Sequence, residues 1–430
     1  MHVAILFGSL AILMMIGVPI GLCLIIPCML VILSGGVSTS MASILQCLYS
    51  GAGSFTMLAI PFFMISGTIM DVGGLSKRLV RLANSIVGNV TGSLGMVTVL
   101  ACMFFGAVSG SAPATCAAIG AIMIPEMIRA GYNKYYAAGL VACAGGLGII
   151  VPPSYPMVIY AVTNNESIGD LFMAGFIPAL LIGVILMLFN YFISKKNGWK
   201  GTQKFSMKEF LSALWDAKWA ILMPVIILGG IYSGIFTATE AAVVATVYGL
   251  FVGCFIYKAF TLKSLWKIFA DNMTFNGGLM LTVAPATALG TVFAYMNVTT
   301  AISEFFASIS TNYYVIMSII YVILFIIGMF IQTTPAIVIF SPVLLAVGAQ
   351  VGLNPLHFGI VMVVALAIAF VTPPVAANLF VASSLTGLSM DKIVKAALPF
   401  LLGLIISLVI IGFVPEISTF LPDLLNSLKA

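Results

Sequence analysis

The runs GGLGIIVPPSYPMVIYAV, residues 145–162, and AIAFVTPPVAANLF, residues 367–380, decide how this chain reads. Each is apolar enough for a membrane interior, and each is cut by consecutive prolines, Pro152-Pro153 and Pro373-Pro374. A proline ring removes a backbone donor and collides with the preceding turn, so no helix runs through the pair. Backbone freed at membrane depth must face protein, water or an ion. The same interruption in both halves, at an offset of 221 from Pro152 to Pro373, points to a transport site between two repeats.

Composition fixes the class. The 430 residues are 62% hydrophobic and 7% charged, with a mean hydropathy of +1.22, values of a polytopic membrane protein. The net charge of +5 carries no nucleic-acid signal, because the basic residues cluster between apolar runs. The seven cysteines form no metal-type pair and read as small buried hydrophobes. The start is apolar from Val3, with no basic lead or cleavage site, and reads as a first membrane helix. An intramembrane enzyme lacks a constellation: His2 and His357 lie near helix ends, and no carboxylate pair falls in the core.

The repeat extends beyond the prolines. At offset 221, Gly131 matches Gly352, Asn133 matches Asn354, Asp170 matches Asp391 and Pro178 matches Pro399. Pro113 matches Pro335 at 222, and Pro61 matches Pro285 at 224. The fold expected is an all-α polytopic membrane protein of two inverted-topology repeats, each of five membrane helices plus a re-entrant hairpin. Residues 1–194 form the first repeat, with helices at 3–17, 19–34, 55–71, 135–163 (the broken one) and 171–194, and a hairpin at about 94–128. Residues 195–218, with Trp199 and Trp215, form a cytoplasmic connector leading to Trp219, its tryptophans suited to headgroup level. Residues 219–430 form the second repeat, with helices at 219–232, 240–257, 278–297, 356–382 (broken) and 397–414, and a hairpin at about 315–347. The segments 75–90 and 299–313 are too polar to span and read as interfacial arms.

Five crossings per repeat force inversion. With the N-terminus outside, sixteen of the 17 Lys and Arg fall on the cytoplasmic side and only Lys429 lies outside. The parity is the same whether a hairpin is re-entrant or crosses twice.

The hairpin tips, Ser109-Gly110-Ser111-Ala112-Pro113-Ala114-Thr115 and Gln332-Thr333-Thr334-Pro335, offer carbonyls and hydroxyls. Such hard oxygen donors suit a small hard cation such as Na+. Helices restarting after Pro113, Pro153, Pro335 and Pro374 bring positive dipole ends that hold a carboxylate without an embedded arginine. Each feature has a plainer reading. Gly106, Gly110, Gly145, Gly146 and Gly148 also serve close helix packing. Asp170 and Asp391, near Ser167 and Ser389, read as helix caps. Glu126 and Glu240 read as interfacial, and of Asn164, Asn165 and Asn378 only the last is placed to meet a substrate.

Four motifs in order, GAVSGSAPAT (106–115), GGLGIIVPPSYPMVIYAV, GMFIQTTPA (328–336) and AIAFVTPPVAANLF, resemble the large membrane subunit of tripartite ATP-independent periplasmic (TRAP) transporters. The resemblance covers essentially the whole chain. It implies an elevator-type Na+ symporter for organic acids in the bacterial inner membrane, with sialic acid and four-carbon dicarboxylates the first substrates to test. The implied partners are a small four-helix membrane subunit and a periplasmic substrate-binding protein. Carried over by motif, one Na+ site would use Gly106, Ser109, Gly148, Val151 and Pro152. A second would use Gly328, Ala369, Thr372 and Val375. The substrate would lie near Ser111, Ala112, Ser154, Thr333, Pro335, Pro374 and Asn378. The chain departs from the family pattern at Gln332, where an acidic residue is expected, and at Ala369 and Ala376, where glycine is expected; the second cation site is therefore the weaker expectation. A binding-protein-independent Na+/dicarboxylate symporter of similar architecture is the alternative, and a channel with paired hairpins is the reading from another class.

Overall fold

The computed structural model describes residues 2–37, 39–201 and 205–429, with the side chains of 428 and 429 outside the described set. Among the described residues the secondary structure is helical and no strand occurs. In the first half the helices are α1 (His2–Ile16), α2 (Ile20–Leu33), α3 (Met41–Ala52), α4 (Ala59–Val72), α5 (Leu75–Val87), α6 (Ser93–Ser109), α7 (Ala112–Arg129), α8 (Lys134–Gly145), the single turn α9 (Leu147–Ile150), α10 (Tyr155–Asn164) and α11 (Ile168–Asn197). In the second they are α12 (Met207–Tyr232), α13 (Ala238–Phe251), α14 (Leu262–Tyr295), α15 (Val298–Ile309), α16 (Tyr313–Phe330), α17 (Thr333–Ala349), α18 (Pro355–Ala369), α19 (Ala377–Thr386), α20 (Met390–Phe413) and α21 (Glu416–Lys429).

The element order recurs at an offset of 222, from Tyr155 opening α10 to Ala377 opening α19 and from Ile168 opening α11 to Met390 opening α20. The halves also exchange partners: α10 packs on α17 and α19 on α7, while α4 packs on α13 and α14 on α2. Local chemistry sets the boundaries. Asn133 and Asn354 each accept two backbone N–H groups at the start of α8 and α18. Thr237 and Glu240 form a capping box at α13.

Several boundaries differ from those read in sequence. The connector shortens: α11 runs to Asn197 and α12 starts at Met207, capped by Ser206, so Trp215 and Lys218 lie on a helix. The charges of Lys208, Glu209, Asp216 and Lys218 hid that extension from an apolar window, and Lys204 lies outside the described residues. Trp199 stacks on Tyr132 at 4.1 Å, whereas Trp215 is exposed and carries the Lys218 ammonium 3.3 Å above its ring. Helix α14 begins at Leu262, behind a Thr261 cap, and is 34 residues long; sequence placed its start at Gly278. Helices α3 and α21 were not foreseen, being amphipathic and too polar for a span. Asp170 sits one turn inside the Ser167 cap of α11, and Asp391 likewise lies in the first turn of α20.

Among the described residues seven helices are long and apolar enough to cross a bilayer, and an eighth span follows if α8, α9 and α10, bent by 42°, count as one. One of the seven, α16, is an arm of the second expected hairpin, so the ten crossings expected comprise the other six, the bent α8–α10 span, the α18 and α19 pair, and α1 and α2, which at 15 and 14 residues fall short of the ~20 that a bilayer core requires.

The two segments expected at the interface are helices held differently. Arg78 and Arg81 on α5 reach α12, with Arg78 Nε 3.2 Å from Asp216 and Arg81 Nε 2.9 Å from Glu209. The Arg81 guanidinium also donates to Asp216 and Ser212. Helix α15 makes no ion pair among the described residues; it rests on α14 and α17 through apolar contacts.

Candidate functional site

The first tip folds back on the first break. Gly110, at φ +60°, closes α6 where a side chain would be strained, and a Cβ there would lie 3.0 Å from the Pro153 carbonyl oxygen. The Ser109 and Thr115 hydroxyls are 2.9 Å apart, and Ser154 donates to the Ile149 carbonyl at 2.6 Å. Helix meets helix at glycines: a Cβ on Gly106 would lie 3.0 Å from Gly148 Cα, and one on Gly148 would strike Thr115 and the Ser111 carbonyl. Gly106, Ser109 and Gly148, three of the five residues of the first expected cation cluster, thus share one small volume, with Val151 and Pro152 following directly in the break. Thr115 joins them; its signal was present, since it closes the motif GAVSGSAPAT.

The second tip and break open instead. Helix α18 ends at Ala369 and α19 begins only at Ala377, and Val375 is 40% exposed. The Val375 N–H donates to the Met329 carbonyl at 3.2 Å, and Thr372 donates to the Ile368 carbonyl at 3.1 Å. A Cβ on Gly328 would meet the Ala369 methyl at 2.5 Å, so Gly328 and Ala369 hold the positions that Gly106 and Gly148 hold in the first half. Both proline pairs have cis peptide bonds.

A cavity of about 410 Å³ lies against the second tip and break. The first turns of four helices reach it: Pro113 of α7, Tyr155 of α10, Thr333, Thr334 and Pro335 of α17, and Ala377 of α19. Its far wall is α14, through Thr274, Phe275, Gly278, Leu279 and Thr282, with Ile20 of α2 beside it. Among the described residues no Lys, Arg, Asp or Glu lines it. Four helix N-termini bring partial positive charge to a wall without charged side chains, an arrangement suited to an anion, although in α19 the Asn378 N–H is already donated to the Phe370 carbonyl at 3.0 Å.

Of the residues expected to touch substrate, Thr333 and Pro335 line this cavity; Ser111, Ala112, Ser154, Pro374 and Asn378 are not part of its wall. Of the expected cation ligands, Gly328, Ala369 and Val375 line it. Asn378 is fully buried: its amide donates to the Ala142 carbonyl at 2.9 Å, joining the restarted helix of one half to α8 of the other. Its side-chain oxygen has no protein partner among the described residues. Reading from sequence missed the α14 wall. The signal was Thr274, Gly278 and Thr282, small or polar at four-residue spacing on one helix face. Among the described residues no cluster of His, Cys, Asp and Glu could hold a metal, so any cation here rests on carbonyl, hydroxyl and amide oxygens, the donor set of a hard ion.

Known proteins share this layout. The family model for the DctM component of the tripartite ATP-independent periplasmic transporter matches residues 7–417. The isethionate TRAP transporter permease protein DctMQ of Oleidesulfovibrio alaskensis is 42% identical over 97% of this chain, which spans 66% of that protein's length. The C4-dicarboxylate TRAP transporter large permease protein DctM of Pseudomonas aeruginosa is 40% identical over 88% of this chain and 89% of its own. The sialic acid TRAP transporter large permease protein SiaM of Vibrio cholerae is 36% identical over 97% and 98%. Among solved structures, the YdaH transporter of Alcanivorax borkumensis superposes with a TM-score of 0.61 over 87% of each chain at 13% identity, which speaks to the fold alone. With motifs, element order and matches all spanning the length, the chain belongs to the DctM family of TRAP transporter large permeases.

Proposed function

We propose that this permease imports an organic acid by Na+ symport, receiving it from a periplasmic binding protein and working with a small four-helix membrane subunit in the bacterial inner membrane. The observation that carries the reading is the neutral cavity on which four helix N-termini converge. An organic anion is held there by amides and hydroxyls, and release is not opposed by a buried counter-charge. The donor set suits coupling to Na+: Gly106, Ser109, Thr115 and Gly148 bring carbonyls and hydroxyls together at the first break, and Gly328, Ala369, Thr372 and Val375 do so at the second. Cation binding between tip and break ties each hairpin to its broken helix, so one unit carries acid and ions together. In the topology we assign, the N-terminus is outside, the halves are inverted, and the hairpins with α8–α10 and α18–α19 shift as an elevator against α1, α2, α12, α13 and the arms. Relatives are named for four-carbon dicarboxylates, sialic acid, isethionate and 2,3-diketo-L-gulonate, and the acid carried here is drawn from that range.

Uptake into proteoliposomes holding both membrane subunits, with binding protein outside, tests the proposal. A Na+ gradient should drive accumulation, and replacing Na+ with K+ should abolish it. Equal uptake in K+ would remove the coupling.

A further inference from the structure

The two walls of the cavity differ in what their hydroxyls have left to offer. On the α17 side, neither the Thr333 nor the Thr334 hydroxyl is spent on a protein atom among the described residues, and the first-turn amides beside them have no helical acceptor. These are donors facing the cavity. On the α14 side, Thr274 donates to the Ala270 carbonyl at 2.9 Å and Thr282 to the Gly278 carbonyl at 3.3 Å. Each threonine hydroxyl has one hydrogen and two lone pairs, so once back-bonded it can only accept. Gly278 lies between them with open space where a Cβ would project, leaving room for a ligand to reach both oxygens.

A carboxylate or sulfonate accepts only, and it finds no donor on α14. From this polarity we infer that the site selects organic acids bearing a hydroxyl: the acid group sits at the α17 and α19 N-termini, and the hydroxyl donates to Thr274 and Thr282. The inference rests on the proposed transport of organic acids and narrows its substrate class. An acid without a hydroxyl fills the anion end and leaves both acceptors without a donor from the ligand.

Affinities of the full chain in detergent micelles with saturating Na+, measured calorimetrically for isethionate against ethanesulfonate and malate against succinate, test this. In at least one pair the hydroxylated acid should bind more tightly by roughly three- to tenfold, the range of one net hydrogen bond. T274V with T282V should bring that ratio to about one, and T274S with T282S should keep it. Equal affinities within both pairs in the parent chain, or a ratio unchanged in the valine variant, overturns the inference. If the valine variant does not fold, the parent ratio and the serine variant still decide. Binding of every acid with no preference leaves the transport reading standing and this one fallen, whereas binding of none removes both.

Discussion

The pair Gly106 and Gly148 in the first half and the pair Gly328 and Ala369 in the second are the same junction built twice, at offsets of 222 and 221. In both, a hairpin arm touches the helix that is about to break. Two glycines let backbone meet backbone in the first, and the surrounding tip is closed by Ser109, Thr115 and the Pro153 carbonyl. The second has one glycine and a methyl group, and beyond it the chain stays non-helical until Ala377 and borders the cavity. One repeated construction has therefore been finished as a closed oxygen-lined knot and as an open wall. The Ala369 methyl is accommodated because Gly328 faces it.

The comparison breaks most visibly at Gly148. A methyl there meets the Thr115 side chain and the Ser111 carbonyl, and backbone cannot move aside as a flexible side chain can. Gly148→Ala should cost about 1–3 kcal/mol of stability and lower Na+-driven uptake more than tenfold, read by thermal unfolding in detergent and by transport. Gly328→Ala should also destabilise, by about 1–3 kcal/mol, through its clash with the Ala369 methyl. Adding Ala369→Gly should recover most of that loss, a coupling within the ~0.5–3 kcal/mol seen for residues in contact. Independent effects of the two changes would mean that they do not face each other. The smallest effect concerns the arms. Arg81 and its partners Glu209 and Asp216 are 40–45% exposed, so Arg81→Ala should cost about 1 kcal/mol or less. Amide exchange of α5 should quicken in high salt as the pairs are screened, while that of α15, which has no ion pair among the described residues, should not.

Sequence shows the halves more readily than their inequality. The proline pairs, Gly110 of the first tip and the spacing of Pro113 and Pro335 mark breaks and hairpins because each is a local backbone constraint, legible without knowing what packs beside it. The length of α14 and the start of α12 were not legible, because charged turns such as Lys263 to Lys267 and Lys208 to Lys218 look like loop to any apolar window. The site was half legible. Thr333 and Pro335 followed from the tip motif, whereas Thr274 and Thr282 come from a helix that approaches only in three dimensions. Asn378, just after a break, lies off the cavity wall, where its amide donates to the Ala142 carbonyl across the two halves and its side-chain oxygen keeps no protein partner among the described residues.

The central claim is that an organic anion rests where the N-termini of α7, α10, α17 and α19 meet. A structure of the chain with its acid bound in Na+ tests it most directly. The account predicts the carboxylate or sulfonate group within hydrogen-bonding distance of the Thr333 and Thr334 amides and hydroxyls, with no lysine or arginine of this chain touching it. An acid group held elsewhere, or held by a basic side chain of this chain, would contradict it.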